Sequence, residues 1–528
     1  MSVRPVSPLS AAPLALALAL GLSGRPAHAQ PHPLPPAPPP LRGGAVPPEA
    51  RAGAEAETLE ARLGAQFAPS GGLTADDVAQ RAATTSFDVR ARQAEIEVAS
   101  ASVDQALYSF FPRLTLQASY TRLSPITPPA FALGNGYSVV AVPNGAGQVA
   151  PGPVTDPANQ LAIVQTPPFT FPVILDNYLL TARLTVPISD YFFRLSQAYS
   201  GAQRTEAAAL YNERAARLKT ASDARTWYYQ WVSAKLSVVA TEQSLVQRRA
   251  QLIDAQRTFQ AGTSSRADVL NAEARVADAE LLLERQKNFA VFQEERLRTV
   301  MHDTSGRPYE IGEDVRLDPP GAQQPPPALP EAYNEALSQR LELRALDETA
   351  LSLRDQAKVA RAGAWPRLDG FGDITTANPN QRFVPLQERF RTTWSVGLQL
   401  SWSPNDAATS IAAANATNAR AAQVEAQRSA LRDALRQEIV SAQNGLREAQ
   451  VAVDTSARSL SAAEESYRVR RELFRNGRAT NLEVTNAEND LLFARLNAIN
   501  ARVNLRIALV SLDHALGRDA KRAPAPAP

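Results

Sequence analysis

The chain contains no cysteine and only four histidines among its 528 residues. The absence of cysteine excludes disulfides, thiolate metal sites, cysteine nucleophiles and a lipid attached through an N-terminal cysteine. Beyond residue 29 only His32, His302 and His514 remain, and none has the spacing of a metal site. No glycine-rich phosphate loop follows a predicted strand. We therefore expect no enzyme activity, no cofactor and no bound metal.

An excess of charge of either sign is also absent. The chain has 55 Lys and Arg residues against 53 Asp and Glu residues. Arg4 and Arg25 lie within the first 29 residues, which hold no acid, so 55 − 2 = 53 basic residues face 53 acidic ones in the remainder. A nucleic-acid binder would show a basic excess or a dense basic patch. We therefore expect no nucleic-acid partner.

The first 29 residues combine a basic start at Arg4, an apolar run over 11–22 and the small-residue ending Ala27-His28-Ala29. This pattern predicts a cleaved secretory signal peptide over residues 1–29, and a disordered Ala/Pro-rich tail is the alternative. The apolar run is shorter than the roughly 20 residues that span a bilayer. No later segment reaches that length, so we expect no anchoring by membrane-spanning helices.

An internal repeat organises the rest of the chain. Residues 259–273 and 474–488 share Phe, Gly, an acid, Val, Asn, Ala and Glu in register, and Pro112-Arg113-Leu114 matches Pro366-Arg367-Leu368. Such self-similarity predicts a duplication. The predicted segments are a Pro/Ala-rich disordered leader (30–72), a first repeat (73–303), a linker (304–328), a second repeat (329–517) and a disordered tail (518–528).

Two segments in each repeat alternate between apolar and polar residues, which predicts strands. The pattern is typical of a transmembrane β-barrel with a polar lumen, and a half-buried sheet of a soluble sandwich is the alternative. Aromatic residues near the strand ends suggest a girdle at the lipid interface: Phe110, Phe111, Tyr191, Phe192, Phe193, Trp365 and Trp402. The predicted strands are 114–121, 177–186, 368–375 (the weakest) and 394–402. We expect the Pro/Gly-rich segment 123–176 to be a flexible surface loop.

Helical periodicity covers the remainder of each repeat. Segments 190–261 and 406–476 predict helices of roughly 70 residues, about 105 Å long, which cannot fold within a globule. Each turns at a glycine suited to a left-handed C-terminal cap and returns as a shorter helix. Apolar residues at exact seven-residue spacing predict left-handed coiled coils, and a plain soluble coiled coil is the alternative. The predicted shorter helices are 74–110, 266–300, 330–363 and 481–516.

The motif Phe-x-x-Gly-x-x-x-x-x-[Asp/Glu]-Val-x-Asn-Ala-Glu occurs twice, and paired strands precede each long helix. In this order of elements the chain resembles the TolC-like outer membrane efflux family over about residues 73–517. The resemblance implies a mainly α fold with β: a homotrimeric outer-membrane barrel with four strands per chain, continued by a periplasmic coiled-coil tunnel. It also implies that the chain is an exit channel whose partners are a periplasmic adaptor, an inner-membrane pump and outer-membrane lipid. A secreted periplasmic structural coiled-coil protein without channel activity is the alternative.

The resemblance also implies two kinds of site. The helical turns Ala261, Gly262, Thr263, Ser264 and Asn476, Gly477, Arg478, Ala479 would dock the adaptor. The mouth of the tunnel would be lined or braced by Asp268, Asn271, Glu483 and Asn486. Alternatively, Asp268 and Glu483 act only as partners of Ser265 and Thr480 in helix capping boxes.

Two departures from the family pattern affect the mouth. Some members have an acid where this chain has Asn486 and a tyrosine where it has Phe474. A ring of paired acids and a tyrosine hydroxyl bond that holds the mouth shut are therefore not expected here. The sequence makes no prediction between drugs, metal ions and proteins as cargo.

Overall fold

Helices make up most of the residues that the computed structural model describes, which are 59–67, 71–127, 137–141, 161–165 and 173–519. In chain order the elements are α1 (Leu59–Gly64), α2 (Ala75–Thr85), α3 (Phe87–Tyr108), β1 (Arg113–Arg122), β2 (Tyr137–Ala141), β3 (Leu161–Gln165), β4 (Asp176–Val186), α4 (Ile188–Asp190), a π-helical turn (Tyr191–Leu195), α5 (Ser196–Gln260), α6 (Arg266–Met301), α7 (Leu329–Gln339), α8 (Leu341–Ala362), β5 (Arg367–Asn378), β6 (Arg391–Ser401), α9 (Pro404–Arg475) and α10 (Asn481–Leu516). None of these helices combines the length and apolar character needed to cross a membrane.

The two predicted long helices are confirmed. α5 has 65 residues and α9 has 72, so α9 is about 108 Å long. In the second half, α8 and the returning helix α10 both pack against α9. The heptad residues of α10 are all buried, which confirms the predicted coiled-coil seam: Val484, Leu491, Ala498, Leu505 and Leu512.

The two predicted leading helices are wrong as continuous helices. The first breaks at Ser86 and the second at Arg340, where the backbone is extended with ψ of 132° and 118° respectively. At the second break the buried guanidinium of Arg340 donates to the backbone oxygen of His514 at 3.1 Å and to Glu438 at 3.0 Å. This break therefore lets one side chain tie two helices together, a tertiary contact that helical periodicity does not reveal.

Four strands form one antiparallel sheet in the order β1-β4-β5-β6, which confirms all four predicted strands. The register pairs Leu116 with Ala182, Ala182 with Ile374 and Ile374 with Trp394, so the apolar residues form a continuous row on one face. β5 has the weakest alternation in the sequence but 12 residues in the structure. It is paired on both sides, and this pairing outweighs its weak local pattern.

Segment 123–176 differs from its prediction as a loop. Within it β2 and β3 form a two-stranded antiparallel hairpin, with Tyr137 opposite Gln165. The segment predicted as a flexible surface loop therefore contains a hairpin over residues 137–141 and 161–165. Each strand has only five residues, and neither Tyr-Ser-Val-Val-Ala nor Leu-Ala-Ile-Val-Gln alternates regularly between apolar and polar residues.

The end of the predicted leader and the linker pack together on α5. Leu63 and Leu73 share a buried cluster with Trp231, and the Tyr228 hydroxyl donates to the backbone oxygen of Leu73 at 2.8 Å. Disorder is therefore the wrong prediction for the described residues of 59–72. The linker joins this layer because Leu73 and Ile311 form a parallel bridge.

The predicted tail also begins with ordered residues. Arg518 donates to Glu335 through two nitrogens, each at 2.8 Å, and the Asp519 carboxylate lies 2.7 Å from His514 Nδ1. Disorder is therefore wrong for residues 518–519. The predicted signal peptide, most of the leader and the rest of the tail lie outside the described residues.

Candidate functional site

Both helical turns that follow the long helices adopt the same backbone cap. At the first turn Gly262 has φ of 77°, its N–H donates to Phe259 O at 2.9 Å, and Thr263 N–H donates to Thr258 O at 2.9 Å. At the second turn Gly477 has φ of 70°, and Arg478 N–H donates to Leu473 O at 2.8 Å. This is the Schellman arrangement, which satisfies the last carbonyls of a helix and places its C′ residue in the left-handed region. No atom lies within 4 Å of a Cβ built at either glycine, so the backbone conformation alone requires glycine here.

Each returning helix begins with a capping box. The Asp268 carboxylate accepts from Ser265 N–H at 3.0 Å and from its hydroxyl at 2.7 Å, while the Ser265 hydroxyl accepts from Asp268 N–H at 3.2 Å. The Glu483 carboxylate accepts from Thr480 N–H at 2.7 Å in the same way. The bond from the Thr480 backbone, followed by that from its hydroxyl, lowers the pKa of the Glu483 carboxyl below its ordinary value. Both carboxylates therefore act as helix caps.

The two turns lie side by side at one end of the helices. Asn481 at the start of α10 donates to Asp268 O at the start of α6 at 3.4 Å, and Gln251 of α5 donates to Asn481 Oδ1 at 2.9 Å. Asp254 of α5 also lies 3.7 Å from Arg471 and 3.5 Å from Arg475 on α9. Local sequence patterns do not reveal these links, because the partners are more than two hundred residues apart.

The predicted docking residues form the exposed end of this arrangement. Six of the eight are exposed and two are half-buried: Ser264 and Ala479 are the half-buried ones. The predicted mouth residues Asn271 and Asn486 are also exposed, one turn beyond the capping acids. We define these eight docking residues, Ala261–Ser264 and Asn476–Ala479, as the tips.

Phe474 takes a packing role next to the second tip. It lies against a buried cluster that contains Tyr467, Val484, Ala487 and Leu491. Here the side chain has no hydroxyl, and it stabilises the end of the α9–α10 hairpin by burying apolar surface.

The sheet at the other end of the long helices presents two chemically different faces. One face is apolar and exposed: Leu114, Leu116, Leu180, Leu184, Ile374, Trp394, Val396, Leu398 and Leu400. The opposite face carries polar contacts, such as Ser395 donating to Asp373 at 2.7 Å and the Arg183 guanidinium 5.1 Å from the centre of the Phe371 ring. The aromatic residues near the strand ends are also exposed, among them Phe111, Phe192, Phe193, Trp365 and Trp402. An exposed apolar face of this extent marks a surface that contacts lipid or another protein.

The sequence profile of the family described as "Outer membrane efflux protein" matches residues 78–301 and 332–518. The chain belongs to this family. Its location is therefore the outer membrane with an extension into the periplasm, and the family and fold together support a channel role in transport.

Solved structures share the fold at low sequence identity. The outer-membrane channel OprN is 17% identical with a TM-score of 0.63, over 86% of this chain and 94% of its own. CusC, a transmembrane channel, is 14% identical with a TM-score of 0.66, over 85% and 95%. The outer membrane protein VceC from Vibrio cholerae is 17% identical with a TM-score of 0.63, over 84% and 96%. No curated protein sequence gives a significant match to this chain.

Proposed function

We propose that the protein is the outer-membrane exit channel of a tripartite efflux or secretion system. Substrate would pass from an inner-membrane pump, through a tunnel lined by the long helices, to the cell exterior. The observation that carries this proposal is the combination of two features in one chain: a four-stranded sheet with an exposed apolar face, and two helices of about 98 and 108 Å that leave it in one direction. The sheet suits lipid, and the helices suit a periplasmic conduit.

Closure of the barrel requires more than one chain. β1 and β6 are the outer strands of the four-stranded sheet, so each leaves one row of backbone groups without a partner in that sheet. Such groups cost several kcal/mol each in hydrocarbon, where water does not satisfy them. Pairing β1 of one chain with β6 of the next removes both edges, and a homotrimer closes such a ring. Apolar side chains exposed on α6 support side-by-side helices in the same assembly: Leu270, Leu281, Phe289, Val291 and Phe292.

The tips are the proposed docking site for the periplasmic adaptor. Six of their eight residues are exposed, the two tips lie together at the end of the helices remote from the sheet, and hydrogen-bonded caps fix their backbones. The mouth residues Asp268, Asn271, Glu483 and Asn486 lie within the next turns of α6 and α10. In a trimer they would encircle the tunnel entrance, in addition to the capping role of the two acids.

Channel activity is tested with the purified full-length protein. Chemical cross-linking of detergent-extracted outer-membrane protein is expected to give three chains, and insertion into planar bilayers is expected to give discrete conductance steps. A monomeric, water-soluble periplasmic species without conductance would instead support the structural coiled-coil alternative. The absence of conductance from a verified trimer would refute the channel proposal while leaving the assembly intact.

A further inference from the structure

A buried carboxylate lies between the two hairpins, above the tips. Glu488 of α10 is 2% exposed, and its Oε1 lies 3.5 Å from Arg248 Nε on α5. Arg495, two turns further along α10, is 5% exposed. A charged group withdrawn from water to this degree costs several kcal/mol unless its partners compensate for the lost hydration.

The compensation of Glu488 is incomplete. Arg248 directs its Nη2 to Asn489 Oδ1 at 2.7 Å and its Nη1 to Arg275 O at 3.4 Å, while Arg495 donates to Gln247 Oε1 at 3.2 Å. Among the described residues, no side chain donates a hydrogen bond to Oε1 of Glu488, although that atom is fully buried. Both arginines thus direct these hydrogen bonds to neutral oxygens, and the charge of Arg495 also interacts with Glu464 of α9.

Charged and titratable groups face Glu488 from each helix packed around it. Arg248 comes from α5, Arg495 from α10, and Arg471 with the phenol of Tyr467 from α9. Burial outweighs the attraction of the three arginines and raises the pKa of the Glu488 carboxyl to about 7. α6 contributes the backbone oxygen of Arg275, and the acids Asp254 of α5 and Glu464 of α9 act on the same cluster.

The equivalent residue of the first repeat has a different environment. Glu273 occupies the same position of the motif on α6, but its side chain is exposed. The repeated sequence therefore does not itself require a buried acid. The burial of Glu488 belongs to the contact between α5 and α10, which joins the two halves of the chain.

We propose that Glu488 makes the α5–α10 contact above the tips sensitive to pH near neutrality, so that proton uptake tightens this contact and ionisation loosens it. The neutral acid suits the buried site, whereas the carboxylate favours any opening that hydrates it. This pH-sensitive contact would regulate the proposed channel, because separating α5 from α10 would widen the end of the helices that carries the mouth. Only the conductance measurement below rests on that proposed function.

The direction and size of this pH effect follow from the linkage between proton binding and the opening of the contact. A carboxyl whose pKa is higher in the closed contact than in an opened one stabilises the closed contact fully at low pH, and this stabilisation is lost as pH rises through about 7. If the opened state has the ordinary pKa of about 4.3, the ratio of closed to open contact falls about tenfold between pH 6 and pH 8.

Hydrogen–deuterium exchange of the full-length protein in detergent measures this ratio. Peptides that cover residues 240–255 and 481–500 are expected to lose about tenfold in protection from pH 6 to pH 8, after correction for intrinsic exchange. Glu488→Gln mimics the protonated acid, so its protection is expected not to fall over this range. Glu273→Gln, the matched change on the exposed equivalent, is expected to behave as wild type.

A second variant tests the electrostatics independently. Arg248→Gln removes the positive charge that lies 3.5 Å from the carboxylate, so the midpoint of the pH transition is expected to move upward. Unchanged pH dependence in both Glu488→Gln and Arg248→Gln would overturn the proposal, as would an equal effect of Glu273→Gln. In planar bilayers the wild-type conductance is expected to rise from pH 6 to pH 8 and that of Glu488→Gln to stay constant. A wild type that forms no pores refutes the channel, whereas pores with the same pH profile in both proteins refute the pH-sensitive contact.

Discussion

Placing an arginine on the exposed face of β6 tests whether the sheet faces lipid. Leu398 is 69% exposed and lies two residues from Val396, the midpoint of the 11-residue strand. At about 3.4 Å per residue and a tilt of about 40°, it lies roughly 5 Å from the middle of an apolar band about 25 Å tall. Arginine costs about 2–4 kcal/mol at the midplane and falls to about 0–1 kcal/mol at the interfaces. We expect Leu398→Arg to cost about 2 kcal/mol per chain, and three times that in a trimer.

The neighbouring residue supplies a control at the same depth. Gln399 projects to the polar face, opposite Asp369 in the register, so Gln399→Arg is expected to be mild. Leu398→Gln separates the loss of apolar contact from the introduction of charge. The assay is the fraction of protein that folds into lipid vesicles and migrates as a trimer without heating. Equal trimer yields for Leu398→Arg and Gln399→Arg would refute the assignment of this face to lipid.

Three further predictions concern the second tip, the cap at Glu483 and the contact between Gly72 and the linker. Gly477→Ala is expected to destabilise the protein by about 1 kcal/mol in denaturant unfolding, because Gly477 has a positive φ. Gly445→Ala is the control: its new Cβ would also have no atom within 4 Å, but Gly445 lies inside α9, so this change is expected to stabilise by about 0.5–1 kcal/mol. The ionised Glu483 carboxylate stabilises wild type, and this stabilisation is lost as pH falls through its lowered pKa; Glu483→Gln is expected to lack it, as thermal unfolding against pH would show. Weaker cation selectivity of the variant at low salt would indicate that Glu483 also lines the mouth, whereas unchanged selectivity would leave only the capping role. A Cβ on Gly72 would lie 2.5 Å from the backbone nitrogen of Gly312 in the linker, so Gly72→Ala is expected to lower the melting temperature. Gly71→Ala is the control, because its Cβ would have no atom within 4 Å, and it is expected to leave the melting temperature unchanged.

Periodicity predicted the elements whose own residues determine them. α9 and α10 follow from heptads, and the four-stranded sheet follows from alternation, because one face of each element is consistently apolar. The capping boxes at Ser265 and Thr480 were also predictable, since serine or threonine followed three residues later by an acid is a local signal. Their presence in the structure agrees with the alternative that the sequence left open for Asp268 and Glu483.

The features that periodicity missed depend on distant partners. The helix break at Arg340 depends on contacts with Glu438 and His514, and the order near Leu63 depends on α5. Asp254 likewise pairs with arginines of the other repeat. In each case the local sequence permits several structures, and burial against a remote segment selects one of them.

The duplication has a consequence for how each hairpin is held. α10 packs against both α9 and α5 of its own chain, whereas α6 packs mainly against α5 and keeps large apolar side chains such as Phe292 exposed. The same motif glutamate is accordingly buried as Glu488 and exposed as Glu273. If the trimer covers the exposed face of α6, contacts within one chain position the second hairpin and contacts between chains complete the first. Substitutions in α10 then act on the folding of each chain, while apolar-to-polar changes on α6 act on assembly.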